Sequence, residues 1–137
     1  MTLTGKIKRT NQGDELVFDM ELLESLGVIE YTVQNPSPER EQADTHQGVL
    51  LENLFALAEI DADATKAHAI AWDDYTVDIP ISVTQWPVMI TTRRNGERIS
   101  FHDLGPLQVI FPYHRFDIEP VIYDPMWIHQ VHTLEIQ

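Results

Sequence analysis

Short apolar runs recur down this chain, and nearly all of them stop at a turn signal after a few residues. Asn11-Gln12-Gly13-Asp14, Asp73-Asp74, Asn95-Gly96 and Gly105-Pro106 supply the stops. Runs of that length with alternating or β-branched side chains read as strands, and strands joined by tight turns pair with their neighbours. Residues 3–8 and 15–18 should open the fold as a hairpin, followed by a strand at 28–33. Residues 67–72 and 75–79 flank the acidic turn. Residues 88–92 and a brief strand at 98–100 flank Asn95-Gly96, a favoured two-residue hairpin turn. Pro80 limits the strand before it. Residues 107–111 and 127–136 should close the structure.

Two helices interrupt the strands. Asp19 can N-cap a short one whose Met20, Leu23 and Leu26 share a face, with Gly27 as a left-handed stop. The run VLLENLFALAEI, residues 49–60, sets Leu50, Leu54 and Leu57 beside Leu51, Phe55 and Ala58 at helical spacing. Residues 34–47 hold two prolines and no apolar period, and are expected to form one long surface loop. Without a regular βαβ alternation, the fold class is α+β, mostly β with a few short helices, in a single domain over 1–137.

Charge and composition remove several classes of function. Nine basic against 22 acidic residues leave a net charge of −13, which repels phosphate backbones and disfavours nucleic acid as a partner. No apolar run approaches the roughly 18 residues of a membrane span, and the first ten residues lack a signal peptide's apolar stretch; a soluble molecule is expected. There is no cysteine, so a disulfide, a thiolate-bound metal and a cysteine nucleophile are all ruled out. His46, His68, His102 and His114 are scattered, and His129 and His132 would face opposite sides of a strand, so no metal site is expected. None of Ser25, Ser37, Ser82 and Ser100 lies in a G-x-S-x-G elbow.

Binding chemistry is better represented. Trp72, Trp86 and Trp127 each border a loop or turn, where a planar face can stack on a planar ligand. Asp73, Asp74 and Tyr75 follow Trp72 directly, and Arg93 and Arg94 precede the Asn-Gly turn. A carboxylate accepts two parallel N–H bonds, while guanidinium groups stack on a heterocycle or donate to it.

The order Gly48-Val49-x-Leu51-x-x-Leu54, Trp72-Asp73-Asp74-Tyr75-x-x-x-Ile79-Pro80, Asn95-Gly96-Glu97 and Gly105-Pro106-Leu107-x-x-x-Phe111-Pro112 resembles the molybdopterin-binding domain of the sulfite-oxidase family over nearly the whole chain. The family's pieces read approximately W-x-G-V-x-L-x-x-L-L, D-G-Y followed by I-P, N-G-x-x-L, and G-x-P-L-R-x-V-V-P. Here the family's molybdenum-binding cysteine is missing, His46 stands in place of the motif tryptophan, Asp74 in place of the D-G-Y glycine, and Gln108 near the arginine. The chain is therefore similar to a cysteine-less branch of periplasmic pterin-binding sensors. That resemblance implies a non-enzymatic module that binds a pterin without molybdenum and regulates the periplasmic region of a membrane-bound diguanylate cyclase or phosphodiesterase. It points to Asp73 or Asp74 for the pterin's amino edge and to Tyr75, Trp72 or Trp86 for stacking. Arg93, Arg94 and the backbone near Gly105 would form the opposite rim, with His46 and the 34–47 loop as the other wall. The alternatives are a diverged molybdenum-cofactor oxidoreductase, holding metal through His46 or carboxylates, and an interaction domain that binds no ligand.

Overall fold

The structure, a computed structural model, describes residues 1–36 and 42–137. Among the described residues, ten strands form two sheets. In the first, the order is β2 (Leu16–Val17), β1 (Thr2–Gly5), β10 (Val131–Ile136), β5 (Lys66–Ala71) and β6 (Thr76–Pro80). Strands β1 and β10 run parallel, and every other neighbour in that sheet is antiparallel. The second sheet is antiparallel: β3 (Ile29–Gln34), β4 (Ala43–Leu50) and β7 (Met89–Arg94), with β8 (Glu97–Arg98) and β9 (Gln108–Ile110) sharing the far edge of β7. A bridge between Gln108 and His129 ties the second sheet to the segment leading into β10.

Local chemistry accounts for most of these elements. Asp19 caps α1 (Met20–Glu24) by accepting the Leu22 N–H at 2.7 Å, and α2 (Leu51–Ala58) buries Leu51, Leu54, Phe55 and Ala58. Asn95 and Gly96 both take positive φ, 53° and 82°, as a two-residue hairpin with the strand twist requires. On β5 the alternation is clean, with Ala67, Ala69 and Ala71 buried and Lys66, His68 and Ile70 facing outward. The buried residues of both sheets and of α2 join in one apolar cluster.

Several expectations change. Much of the long loop expected at 34–47 is strand: β4 begins at Ala43 and is paired on both edges. Its polar residues hid it, because Thr45, His46 and Gln47 find polar neighbours across the sheet and no apolar period is needed. Residues 37–41 of that expected loop lie outside the described residues. The opening strand stops at Gly5, where φ is +85°. The closing strand starts at Val131 instead of 127, since Gln130 has φ 55° and the register shifts between Val131 and Thr133. A four-residue helix, α3 (Pro120–Tyr123), was not foreseen.

Candidate functional site

A cleft of about 260 Å³ opens where the β5–β6 turn meets the segment before β10. Its walls are Asp73, Tyr75, Asp124, Pro125, Trp127, Ile128 and His129. The volume lies just under the roughly 300 Å³ at the low end of small-molecule pockets, which suits a small ring system without a long tail.

Turn geometry sets the first wall. The Asp73 carboxylate accepts the Tyr75 N–H at 3.1 Å, the short polar loop typical of Asp in turns. One of its oxygens stays available, since an ionised carboxylate offers about four acceptor positions. Asp74 takes a left-handed φ of 67° and its N–H donates to the Ala71 carbonyl at 3.1 Å. It fills the place where the resembling pattern has glycine, and Asp is among the few residues that tolerate this conformation. The Tyr75 hydroxyl donates to the Pro125 carbonyl at 2.7 Å, clamping the turn to the second wall.

Aromatic packing sets that second wall. Trp127 is buried, stacked on Tyr113 and edge-on to His46 at 6.0 Å between centroids. Asp124 accepts from the Tyr113 hydroxyl at 2.7 Å. Burial, with the Asp124 carboxylate beside it, holds the Tyr113 hydroxyl well above the usual phenol range, so it remains a donor. Asp73 and Asp124 thus bring carboxylates to the cleft from two elements. Asp124, Pro125, Ile128 and His129 were not singled out in the sequence; the Asp-Pro pair ahead of Trp127 is the signal that could have drawn attention to them.

The other sequence-nominated residues do not line this cleft. Trp72 is next to it but faces outward, 58% exposed, its ring 4.4 Å from that of His132. Trp86 packs edge-on against Tyr123, one end of an aromatic chain through Phe111 and Tyr113 to Trp127. Arg93 lies 4.0 Å from the Glu24 carboxylate and Arg94 donates to the Asp103 carbonyl at 3.3 Å. His46 is 1% exposed in β4, its Nδ1 3.3 Å from the Thr91 hydroxyl. Gly105 is buried with no space beside it, because a Cβ would come within 2.0 Å of the Ile99 carbonyl oxygen. The expected rim of Arg93, Arg94 and Gly105 and the expected His46 wall are therefore parts of the second sheet and its loops, engaged with neighbouring protein groups.

The donor set speaks to molybdenum. The chain has no thiolate to offer, and among the described residues no three His, Asp or Glu side chains stand close enough to hold a metal ion. The groups present do not fit a thiolate-held metal; they fit a ligand with N–H donors and a flat face.

The architecture, mostly β with a few short helices, is that of a sulfite-oxidase-like domain. Among the solved structures it is similar to is the sulfane dehydrogenase SoxCD from Paracoccus pantotrophus, at a TM-score of 0.75 and 17% sequence identity over 99% of this chain. The chain spans 37% of that enzyme's chain, and at this identity the likeness defines the fold. No protein-family model and no curated protein matches the sequence.

Proposed function

We propose that this protein is a pterin-binding module that works by ligand occupancy rather than by turnover. The observation that carries the reading is the cleft between the 72–75 turn and residues 124–129, where two carboxylates stand beside Tyr75 and Trp127. A pterin's amino group and adjacent ring N–H suit a carboxylate edge, and its ring suits an aromatic wall. Support also comes from the fold, shared with part of a sulfane dehydrogenase, combined with the absence of cysteine. The role is sensing: occupancy of the cleft changes contact with the periplasmic region of a membrane-bound enzyme that makes or degrades cyclic-di-GMP. The net charge of −13 favours pterins without phosphate over phosphorylated ones.

Calorimetric titration with reduced and oxidised pterin tests this directly. Binding heat should be accompanied by thermal stabilisation, about 2.7 kcal/mol at a ligand concentration a hundredfold above Kd. No heat and no stabilisation with either form would leave a ligand-free interaction domain. Stoichiometric molybdenum in the purified protein would instead restore the oxidoreductase reading.

A further inference from the structure

Large exposed apolar side chains lie on segments that adjoin the cleft. Trp72, Tyr75 and Phe101 are 58%, 44% and 60% exposed. Their backbones are tied together through Gln130: its carbonyl accepts the Trp72 N–H at 3.0 Å and its side chain donates to the Phe101 carbonyl at 2.8 Å. Past Tyr75, whose hydroxyl holds Pro125, helix α3 adds Val121 and Ile122, 91% and 51% exposed. Solitary exposed apolar residues need no explanation, but a group of large ones on segments tied together by hydrogen bonds does.

The segments that carry this surface are acidic, and Arg94 reaches them at one point, donating to the Asp103 carbonyl at 3.3 Å. The segments 72–75, 100–104 and 119–126 contain Asp73, Asp74, Asp103, Glu119 and Asp124 and not a single lysine or arginine. Aromatic faces between carboxylates attract a cation twice, through the ring quadrupole and through Coulomb attraction. His132 rests against the Trp72 ring, leaving the exposed remainder of the indole for a partner.

We infer that this surface docks a segment of a partner protein in which arginines alternate with apolar side chains, the guanidinium groups lying on Trp72 and between the aspartates and the apolar groups on Phe101 and α3. By naming a partner's chemistry the inference extends the sensor reading, but it concerns the ligand-free surface and stands without the pterin. Arginine fits better than lysine because its flat, weakly hydrated head stacks on indole and forks onto carboxylates.

The test uses the whole chain, free of ligand, and a synthetic peptide of alternating arginine and leucine. Control peptides alternate glutamate with leucine and lysine with serine. Amide resonances of residues 72–75, 101–103 and 121–122 should shift with the first peptide only. The double variant Trp72→Ala/Phe101→Ala keeps net charge and should bind the peptide at least tenfold more weakly while its circular dichroism and melting temperature stay unchanged. Equal binding by that variant, equal binding of the lysine–serine peptide, or shifts centred on Glu52 and Glu59 of the α2 face would overturn the inference. So would sedimentation showing that the wild type self-associates and the double variant does not. A separate pterin titration of the same sample tells a failure here from a failure of the cleft reading.

Discussion

The two sheets present their polar residues in opposite ways. On the β4–β7–β9 side, polar groups are turned inward and held: His46 lies against Thr91, Thr91 donates to backbone carbonyls of Gln47 and Arg93, and Gln108 donates to Leu104. Glu24 reaches across from α1 to Arg98, Arg93 and Thr92. At the β5–β6 turn, Asp73 and Tyr75 use only part of their bonding capacity, within the turn and to Pro125, and border open space. Polar and aromatic residues of the same types thus build scaffold in one region and a receptive surface in the other. Residue type nominates candidates for a site; the availability of their remaining bonds decides among them.

Substitutions can break that contrast. The largest effect belongs to the scaffold: Gly48→Ala places a Cβ 2.1 Å from the Ile90 carbonyl oxygen, against backbone that is paired on both sides. The cost should be about 3 kcal/mol or more, lowering the melting temperature by roughly 10 °C for a chain of this size. Thermal unfolding followed by circular dichroism measures it, and a shift of a degree or two would show the second sheet to be looser than described.

Next comes the receptive side. Asp73→Ala should weaken pterin binding by roughly 1–3 kcal/mol, the cost of leaving buried donors unpaired, with little change in melting temperature because the side chain is exposed. Calorimetry of variant and wild type gives both numbers. Arg93→Ala, in contrast, should leave pterin affinity within about twofold, since the arginine points to Glu24 and not into the cleft; its loss of affinity would move the site to the other sheet.

The smallest effect is electrostatic. The hydrogen bond from Arg98, together with that from Thr92 and the nearby Arg93, holds the Glu24 carboxyl below its usual range, outweighing burial. A depressed folded-state pKa stabilises the protein above the unfolded carboxylate value of about 4.3, and that share is lost as pH falls through the folded value. Glu24→Gln should therefore cost about 0.5–1 kcal/mol at pH 7, and the gap to wild type should be narrower at pH 3. Urea denaturation at the two pH values reads the difference.

Much of the fold could be read from the sequence because its signals are local. Asn95-Gly96 can satisfy its left-handed angles only in a tight hairpin, Asp19 has a helix to cap, and Leu51, Leu54, Phe55 and Ala58 share one face. Strand β4 was illegible for the converse reason: its polar side chains are satisfied by partners on β3 and β7, far away in sequence. The site divides in the same way. Asp73 and Tyr75 stood out because they lie together beside Trp72, and the structure sets both at the cleft. Asp124 and His129 come to it from some 50 residues along the chain, a proximity created by the pairing of β5 with β10. Arg93 looked available because Glu24 is distant in sequence, and Arg94 and Gly105 because only the folded 99–105 segment brings Asp103 and Ile99 against them.

The contrast between the sheets is tested most directly by following backbone amide resonances while pterin is added to the intact protein. Residues 73–75, 124 and 127–129 should shift together with one saturation curve, and Arg93, Arg94 and Gly105 should stay in place. Shifts confined to those last three, or none at saturating ligand, would contradict the assignment of scaffold and site made here.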